Sequence, residues 1–150
     1  MSELLLTTIR GLERAAAREA EALGLRVRDV VEPSLVVAVG RRDLALEMGT
    51  VDAVSELLCS YRLEELEMRA LRYALREAFR RHASEFRGVE EVAVRACVRG
   101  RCMSRRAVEL VASREAKRVL SVATSPKARE VVRVYLDCGN RRLFVARQVN

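Results

Sequence analysis

The chain has 150 residues, 50% of them hydrophobic, and a formal net charge of +7 at neutral pH. This length and composition allow one ordinary domain or two small ones with buried cores, and no apolar run approaches the length that spans a bilayer. We therefore expect no membrane partner. Because no charged segment precedes the first short apolar run, we expect no signal peptide and a soluble, cytoplasmic protein.

Four apolar stretches in the N-terminal part have the length and patterning of β-strands. They lie at residues 3–8, 25–31, 35–39 and 54–61. A turn is predicted at Glu32-Pro33-Ser34, between the second and the third of them. The second stretch alternates apolar and polar residues, and the third is apolar throughout, as a central strand would be.

Two helices are predicted between these strands. The first runs from about Gly11 to Gly24 and has one apolar face, formed by Leu12, Ala16, Ala20 and Leu23. Asp43 is expected to cap a short second helix that ends at Gly49. The resulting order of strand, helix, strand, strand, helix, strand is that of a ferredoxin-like βαββαβ unit, which we assign to residues 1–62.

The C-terminal part begins with a long amphipathic helix, predicted from Leu63 to Phe86. Its buried face is expected to contain Leu71, Leu75, Ala78 and Phe79. Its first turn would be acidic (Glu64, Glu65, Glu67) and its last turn basic (Arg80, Arg81), which suits the helix dipole. Residues 63–150 then continue as strand 91–99, helix 105–122 and strands 131–137 and 142–149, with Gly139-Asn140 in the connecting turn.

The positive charge is concentrated in this C-terminal part. Residues 1–62 hold eight arginines against ten acidic residues, whereas residues 63–150 hold twenty basic side chains against eleven acidic ones. Such an asymmetry favours a polyanionic partner, most simply a nucleic acid, over a basic surface that only keeps the protein soluble. Lys117 and Lys127 are the only lysines among the 28 basic residues, and amide side chains are scarce, a composition typical of a thermophile or of a GC-rich genome.

The segment Arg95–Arg106 has the densest positive charge in the chain. Two of its arginines share one face of a predicted strand, and the others follow at a glycine turn and at the start of a helix that Ser104 can cap. Guanidinium groups and free N–H groups at a helix N-terminus both bind phosphate. We therefore predict a phosphate-binding surface formed by Arg95, Arg99, Arg101, Ser104, Arg105, Arg106, Lys127, Arg129, Arg141 and Arg142.

Other kinds of site are disfavoured. Cys97 and Cys102 lack the further ligands that structural zinc requires, and His82, the only histidine, gives a cysteine nucleophile no convincing base. The seven glycines are scattered without any G-x-G, which excludes common nucleotide loops. We therefore expect no catalytic residue, no metal and no cofactor. Cys97 and Cys102 are interpreted as packing residues, with a disulfide left open.

Two segments resemble a known family. "LLLTTIRGLERAAAREAEALG" resembles the opening of the N-terminal ferredoxin-like domain of archaeal THUMP-containing tRNA-modification enzymes, and "VAVRACVRGRCMSRRAVELV" through "VYLDCGNRRLFVARQV" resembles their THUMP domain. The resemblance spans essentially the whole chain. It implies an α+β protein with a ferredoxin-like domain at 1–62 and a helix-led, THUMP-like RNA-binding domain at 63–150. Cys102 and Met103 stand where many relatives have a histidine and an aromatic residue.

The resemblance also implies a function. We expect a non-catalytic module that grips the phosphate backbone or the acceptor end of tRNA and serves a separate tRNA-modifying enzyme or catalytic domain. Two alternatives remain open. The chain could be the substrate-binding fragment of a THUMP-containing tRNA methyltransferase or thiouridine synthetase, or it could be a basic protein-interaction module.

Overall fold

The computed structural model of the protein describes residues 2–31 and 35–149. Over these residues the chain forms eight strands, four α-helices and one short 3-10 helix, a mixed composition consistent with the expected α+β class. The chain divides into two compact units, Met1–Leu57 together with Gln148–Asn150, and Leu58–Arg147. The turn predicted at Glu32-Pro33-Ser34 lies outside the described residues. Within the described ranges, no helix has both the length and the hydropathy that a bilayer crossing requires.

The first unit has the predicted order of elements. It contains β1 (Ser2–Thr8), α1 (Glu13–Ala22), β2 (Arg26–Val31), β3 (Leu35–Gly40), α2 (Arg42–Ala45) and the first part of β4 (Val51–Arg62). Its strands follow the order β2-β3-β1-β4, and each neighbouring pair is antiparallel. The strand predicted at 54–61 lies within the longer β4.

Helix α1 provides the core of this unit. Ala16 and Ala20, both predicted on its apolar face, are fully buried against Leu4 and Leu6 of β1. Small side chains let the helix approach the sheet closely. Gly24 follows the end of the helix and has a φ of +97°, which residues with a Cβ rarely adopt. The local periodicity of the sequence thus accounts for this packing.

Asp43 does not cap helix α2, so that prediction was wrong. The helix has Arg41 as its N-cap residue, without a capping side-chain hydrogen bond, and Asp43 lies inside the first turn. The Asp43 carboxylate instead pairs with the Arg41 guanidinium, with hydrogen bonds of 3.1 and 2.6 Å. The ion pair occupies the oxygens that a cap would have used.

The second unit is built around a central strand. After the end of β4 it contains α3 (Met68–Arg81), a 3-10 helix (Ala83–Phe86), β5 (Glu91–Arg99), α4 (Arg105–Leu120), β6 (Ala123–Thr124), β7 (Glu130–Asp137) and β8 (Arg142–Gln148). Strand β5 pairs in parallel with both β6 and β7, and β7 pairs with β8 in antiparallel fashion. The two-residue strand β6 was not predicted, because so short a segment carries no periodic pattern.

Helices α3 and α4 cover one face of this sheet. The four predicted core residues of α3 (Leu71, Leu75, Ala78 and Phe79) are all buried. They pack in one cluster with Val92, Val94 and Ala96 of β5. Each fully buried leucine or phenylalanine contributes about 1.5–3 kcal/mol to folding. Between the helices, the buried carboxylate of Glu115 is compensated by Arg76 at 3.2 Å.

The predicted acidic first turn of the long helix is not helical. Helix α3 begins at Met68, so Glu64, Glu65 and Glu67 precede it. Tertiary contacts explain the difference, because the Leu63 N–H donates to the Arg141 carbonyl at 2.7 Å and the Arg141 guanidinium donates to the Glu64 carbonyl at 2.6 Å. These bonds to the β7–β8 turn hold the connection away from the helix axis.

A disulfide joins Cys102 to Cys138, 36 residues further along the chain. Cys102 follows the glycine turn after β5, and Cys138 follows directly after β7. Cys59 and Cys97 remain as free thiols. The disulfide, which the sequence left open, ties the basic turn to the neighbouring strand by a covalent bond.

Reduction of this disulfide is expected to destabilise the protein. A cross-link over 36 residues removes loop entropy from the unfolded chain, so its loss should lower the free energy of unfolding by about 3–4 kcal/mol. Urea unfolding with and without dithiothreitol measures the change. A Cys59→Ser/Cys97→Ser variant keeps the disulfide and should respond to the reductant like the parent chain. Equal midpoints with and without reductant would contradict the expectation.

Candidate nucleic-acid interface

Strand β5 presents arginines on the face of the sheet opposite to the helices. Val92, Val94 and Ala96 are buried in the core, whereas Arg95 and Cys97 are exposed. Successive residues of a strand point to opposite faces, so this alternation was predictable from the sequence. Arg99, two residues beyond Cys97, is on the same face as Arg95 and is half-buried.

The pairing of the strands brings further arginines to that face. In the β5–β7 register, Arg95 lies opposite Arg133, and Arg99 lies opposite Asp137. In the β7–β8 register, Asp137 lies opposite Arg142. Residues directly opposite each other on paired strands share a face. Arg133 was missed by the sequence analysis, because its position depends on which strand pairs with β5.

Three basic side chains, two of them on this face, line one cavity of about 320 Å³. Arg95 and Arg133 come from the sheet, and Arg105 comes from the first turn of α4; Pro126 and Glu109 complete the wall. The Glu109 carboxylate accepts a hydrogen bond from the Ala96 backbone N–H at 3.0 Å. Three guanidinium groups against one carboxylate make the cavity suited to an anion of the size of a phosphate group.

The turn between β5 and α4 is held in place from several sides. Gly100 has a φ of +101°. The Cys138 N–H donates to the Arg99 carbonyl at 2.9 Å, and the disulfide anchors Cys102. At the start of α4, the predicted cap is confirmed, since the Ser104 hydroxyl accepts from the Ala107 N–H at 3.1 Å. The positive end of the helix dipole therefore lies beside Arg105.

Arg99 differs from its neighbours in being held by a carboxylate. Its guanidinium pairs with Asp137 at 3.4 Å, and that aspartate is fully buried. The side chain of Asn140 also donates to Asp137, at 2.7 Å. Because a buried charge must keep its partner, Arg99 is constrained by this contact more than an exposed arginine would be.

The remaining predicted residues do not line the cavity. Arg101 and Arg106 are exposed at the turn and at the start of α4. Lys127 and Arg129 are exposed in the loop before β7, and Lys127 directly follows Pro126 of the cavity wall. Arg141 donates to the Glu64 carbonyl, and Arg142 lies over the ring of Phe144 at 4.6 Å. The structure thus brings together Arg95 and Arg105 and adds Arg133.

The aromatic side chains on this face are inaccessible. Tyr135 and Phe144 lie opposite each other on β7 and β8 and are 2% and 1% exposed. They contact each other edge to face, with ring centroids 6.2 Å apart. Neither ring can stack on a nucleic-acid base, as the exposed sheet aromatics of other RNA-binding folds do. Contacts of a nucleic acid with this face would have to rely on charge and hydrogen bonds.

The free thiols lack the properties of nucleophiles. Desolvation raises the pKa of Cys97, although the positive charges of Arg133 and Arg105 oppose the shift. Burial likewise raises the pKa of Cys59. Both thiols are therefore protonated at neutral pH, and a thiol is a much weaker nucleophile than a thiolate. Over residues 2–31 and 35–149, no group of three histidine, cysteine, aspartate or glutamate side chains is arranged to hold a metal ion.

Comparisons with solved structures place this fold among larger proteins. TrmN from Thermus thermophilus superposes with a TM-score of 0.70 at 22% identity, over 100% of this chain and 46% of its own. A possible methylase from Clostridium difficile 630 gives 0.71 at 11% identity, over 98% and 41%. A 4-thiouridine synthetase, solved as an RNA complex with bound ATP, gives 0.56 at 9% identity, over 98% and 41%.

These similarities establish a shared fold. No family model matches the sequence, and a search of curated proteins found no match. The chain spans less than half the length of the three solved proteins described above. The contacts that this chain makes must therefore be argued from its own side chains.

Substitution of Gly100 by alanine is expected to destabilise the basic turn strongly. A Cβ at this position would lie 2.8 Å from the Cβ of Cys138, and the backbone has a positive φ. Steric overlap and backbone strain together should lower the free energy of unfolding by about 2–4 kcal/mol. Urea denaturation measures this loss.

Gly88→Ala provides the matched control. Gly88 also has a positive φ, but an added Cβ there would meet no atom within 4 Å. In this variant only the backbone strain at a positive φ should lower the free energy of unfolding, by about 1–2 kcal/mol. If both variants lose the same free energy of unfolding, steric overlap with Cys138 does not contribute to the destabilisation of Gly100→Ala.

Proposed function

We propose that this chain is a non-catalytic tRNA-binding module that contacts RNA phosphates through the cavity of Arg95, Arg105 and Arg133. The observation that carries the proposal is the convergence of these three arginines from two strands and a helix N-terminus on one cavity. Each of the three elements is fixed by pairing or capping. The backbone positions from which the three guanidinium groups extend are therefore fixed before an anion binds.

The fold supports RNA as the anion. One solved neighbour is a 4-thiouridine synthetase in complex with RNA, and the sequence itself resembles the N-terminal ferredoxin-like and THUMP domains of tRNA-modification enzymes. On this proposal, residues 1–62 are the ferredoxin-like domain and residues 63–150 the THUMP-like domain. The exposed basic residues around the cavity (Arg101, Arg106, Lys127 and Arg129) extend the phosphate contacts beyond it.

The chemistry of the surface favours contacts to the backbone over contacts to bases. The aromatic rings of this face are buried, and arginine side chains bind phosphate oxygens through paired N–H groups. Phosphate contacts position a protein on RNA but carry no sequence information. The module would thus hold tRNA by its backbone or acceptor end, while a separate tRNA-modifying enzyme or catalytic domain acts on the target nucleotide.

A second candidate function differs only in how the catalytic domain is attached. The solved neighbours described above are more than twice as long as the chain. The same RNA-binding surface could therefore belong to the substrate-binding part of a longer tRNA methyltransferase or thiouridine synthetase. On either proposal, the catalytic step is carried out by another domain.

Removal of the three cavity arginines is expected to weaken tRNA binding and its salt dependence. For the parent chain, the logarithm of the affinity should fall linearly with the logarithm of the salt concentration, by about 0.7–0.9 per phosphate neutralised. In an Arg95→Gln/Arg105→Gln/Arg133→Gln variant, that slope should decrease by about one for each arginine that contacts a phosphate. Fluorescence anisotropy with labelled tRNA across a salt series measures both quantities.

An Arg10→Gln/Arg18→Gln/Arg26→Gln variant is the matched control. It has the same change in net charge, but its exposed arginines belong to the first unit. If both variants lose the same affinity, binding depends on net charge alone and the cavity has no special role. Comparison of intact tRNA with tRNA that lacks the single-stranded 3′ end then tests whether the acceptor end is the part that is held.

A further inference from the structure

A second cavity in the C-terminal unit has the opposite electrostatic character. It measures about 470 Å³ and lies between the end of β4 and helix α3. Its wall is mostly apolar and includes Leu63, Ala70 and Ala74, with the rings of Tyr61 and Tyr73. Cavities of this size commonly hold small ligands or one to two side chains.

The non-helical connection before α3 forms one wall of this cavity. Bonds from Leu63 and Glu64 to Arg141 hold residues 63 and 64 against the β7–β8 turn. Glu64 and Glu65 are consequently exposed at the cavity wall rather than on a helix. Along α3, the small side chains of Ala70 and Ala74 leave the space that a larger residue would fill.

Carboxylates dominate the charged groups of this cavity. Glu64, Glu65 and Glu77 line it, against the single guanidinium of Arg62. Arg80 also pairs with Glu77 from the next turn of α3. This acidic site lies in a chain whose net charge is +7. A cation in this cavity would be attracted to the carboxylates of Glu64 and Glu65 and to the negative faces of the tyrosine rings.

Among the described residues of the second unit, Tyr73 is the large hydrophobic side chain with the greatest exposed fraction. It is 66% exposed although it sits on a helix whose opposite face is fully packed. Tyr61, by contrast, is partly buried, and burial together with the neighbouring Cys59 raises its pKa. An exposed ring beside a shielded ring and several carboxylates is an arrangement that accepts a flat cation with an apolar stem.

We propose that this cavity is a docking site for an arginine side chain of a protein partner, flanked by apolar residues. The planar guanidinium can stack on a tyrosine ring and donate in parallel to carboxylate oxygens, which a lysine ammonium cannot do. Its methylene stem would cover Leu63, Ala70 and Ala74. The site is independent of the arginine cavity, so the chain would hold an anionic and a cationic partner at two different places.

The test is an NMR titration of the full chain, labelled with ¹⁵N, with the peptide acetyl-Leu-Arg-Leu-amide. The control peptide has citrulline in place of arginine, which keeps the shape and removes the charge. We expect shifts of the amides of Ala70, Tyr73 and Ala74, and at least about tenfold weaker binding of the citrulline peptide, because charge-assisted hydrogen bonds are lost. Equal affinity for the two peptides, or shifts confined to other regions, would overturn the proposal.

Two matched variants locate the binding. The Glu64→Gln/Glu65→Gln variant should bind the arginine peptide about tenfold more weakly, because two charged hydrogen-bond acceptors are lost. Glu90→Gln/Glu91→Gln makes the same change in net charge at another exposed pair of the same unit and should leave peptide binding unchanged. Both variants should bind tRNA equally, so a failure of the RNA proposal leaves this test intact. Tighter binding of spermidine than of the peptide at this site would identify a free polycation as the ligand and overturn the partner assignment.

Discussion

The parallel pairing of β5 with β7 is the constraint on which the C-terminal unit depends. It requires a crossover connection, which α4 provides, and the crossover places a capped helix N-terminus beside the arginine face of β5. The same register puts Arg95 beside Arg133 and Arg99 beside Asp137. It also brings the ends of the two strands close enough for the Cys102–Cys138 bond. The arginine cavity and the covalent link are therefore both consequences of one arrangement of strands.

In the second unit, the charged side chains of one cavity are mainly arginines and those of another are mainly glutamates. The arginine cavity combines three guanidinium groups with one carboxylate, and the tyrosine cavity combines three carboxylates with one guanidinium. Most of the charged side chains that line the two cavities are exposed to solvent. Interactions between such exposed charges are screened over about 8–10 Å at physiological salt. Salt therefore weakens the electrostatic attraction of a charged partner to either cavity.

Local periodicity predicted the parts of this structure that depend on neighbouring residues in the chain. The alternation of β5 and the buried face of α3 both follow from spacing alone. The remaining features depend on contacts between distant residues. Arg133 joins the cavity through strand pairing, Cys102 finds a partner 36 residues away, and the contact of Leu63 with Arg141 shortens α3 at its start. A single sequence does not reveal which distant segments meet.

The hydrogen bond between Glu109 and the Ala96 amide has a consequence for the behaviour of the protein at high concentration. Strand β6 pairs with β5 at Glu91 and Val92, so the rest of that edge of β5 could act as a template for a strand from another molecule. Glu109 occupies the Ala96 N–H, and it places a charge at the edge, where natural sheets commonly use charged side chains to prevent edge-to-edge aggregation. A residue in the wall of the arginine cavity thus also occupies a backbone N–H at the edge of the sheet.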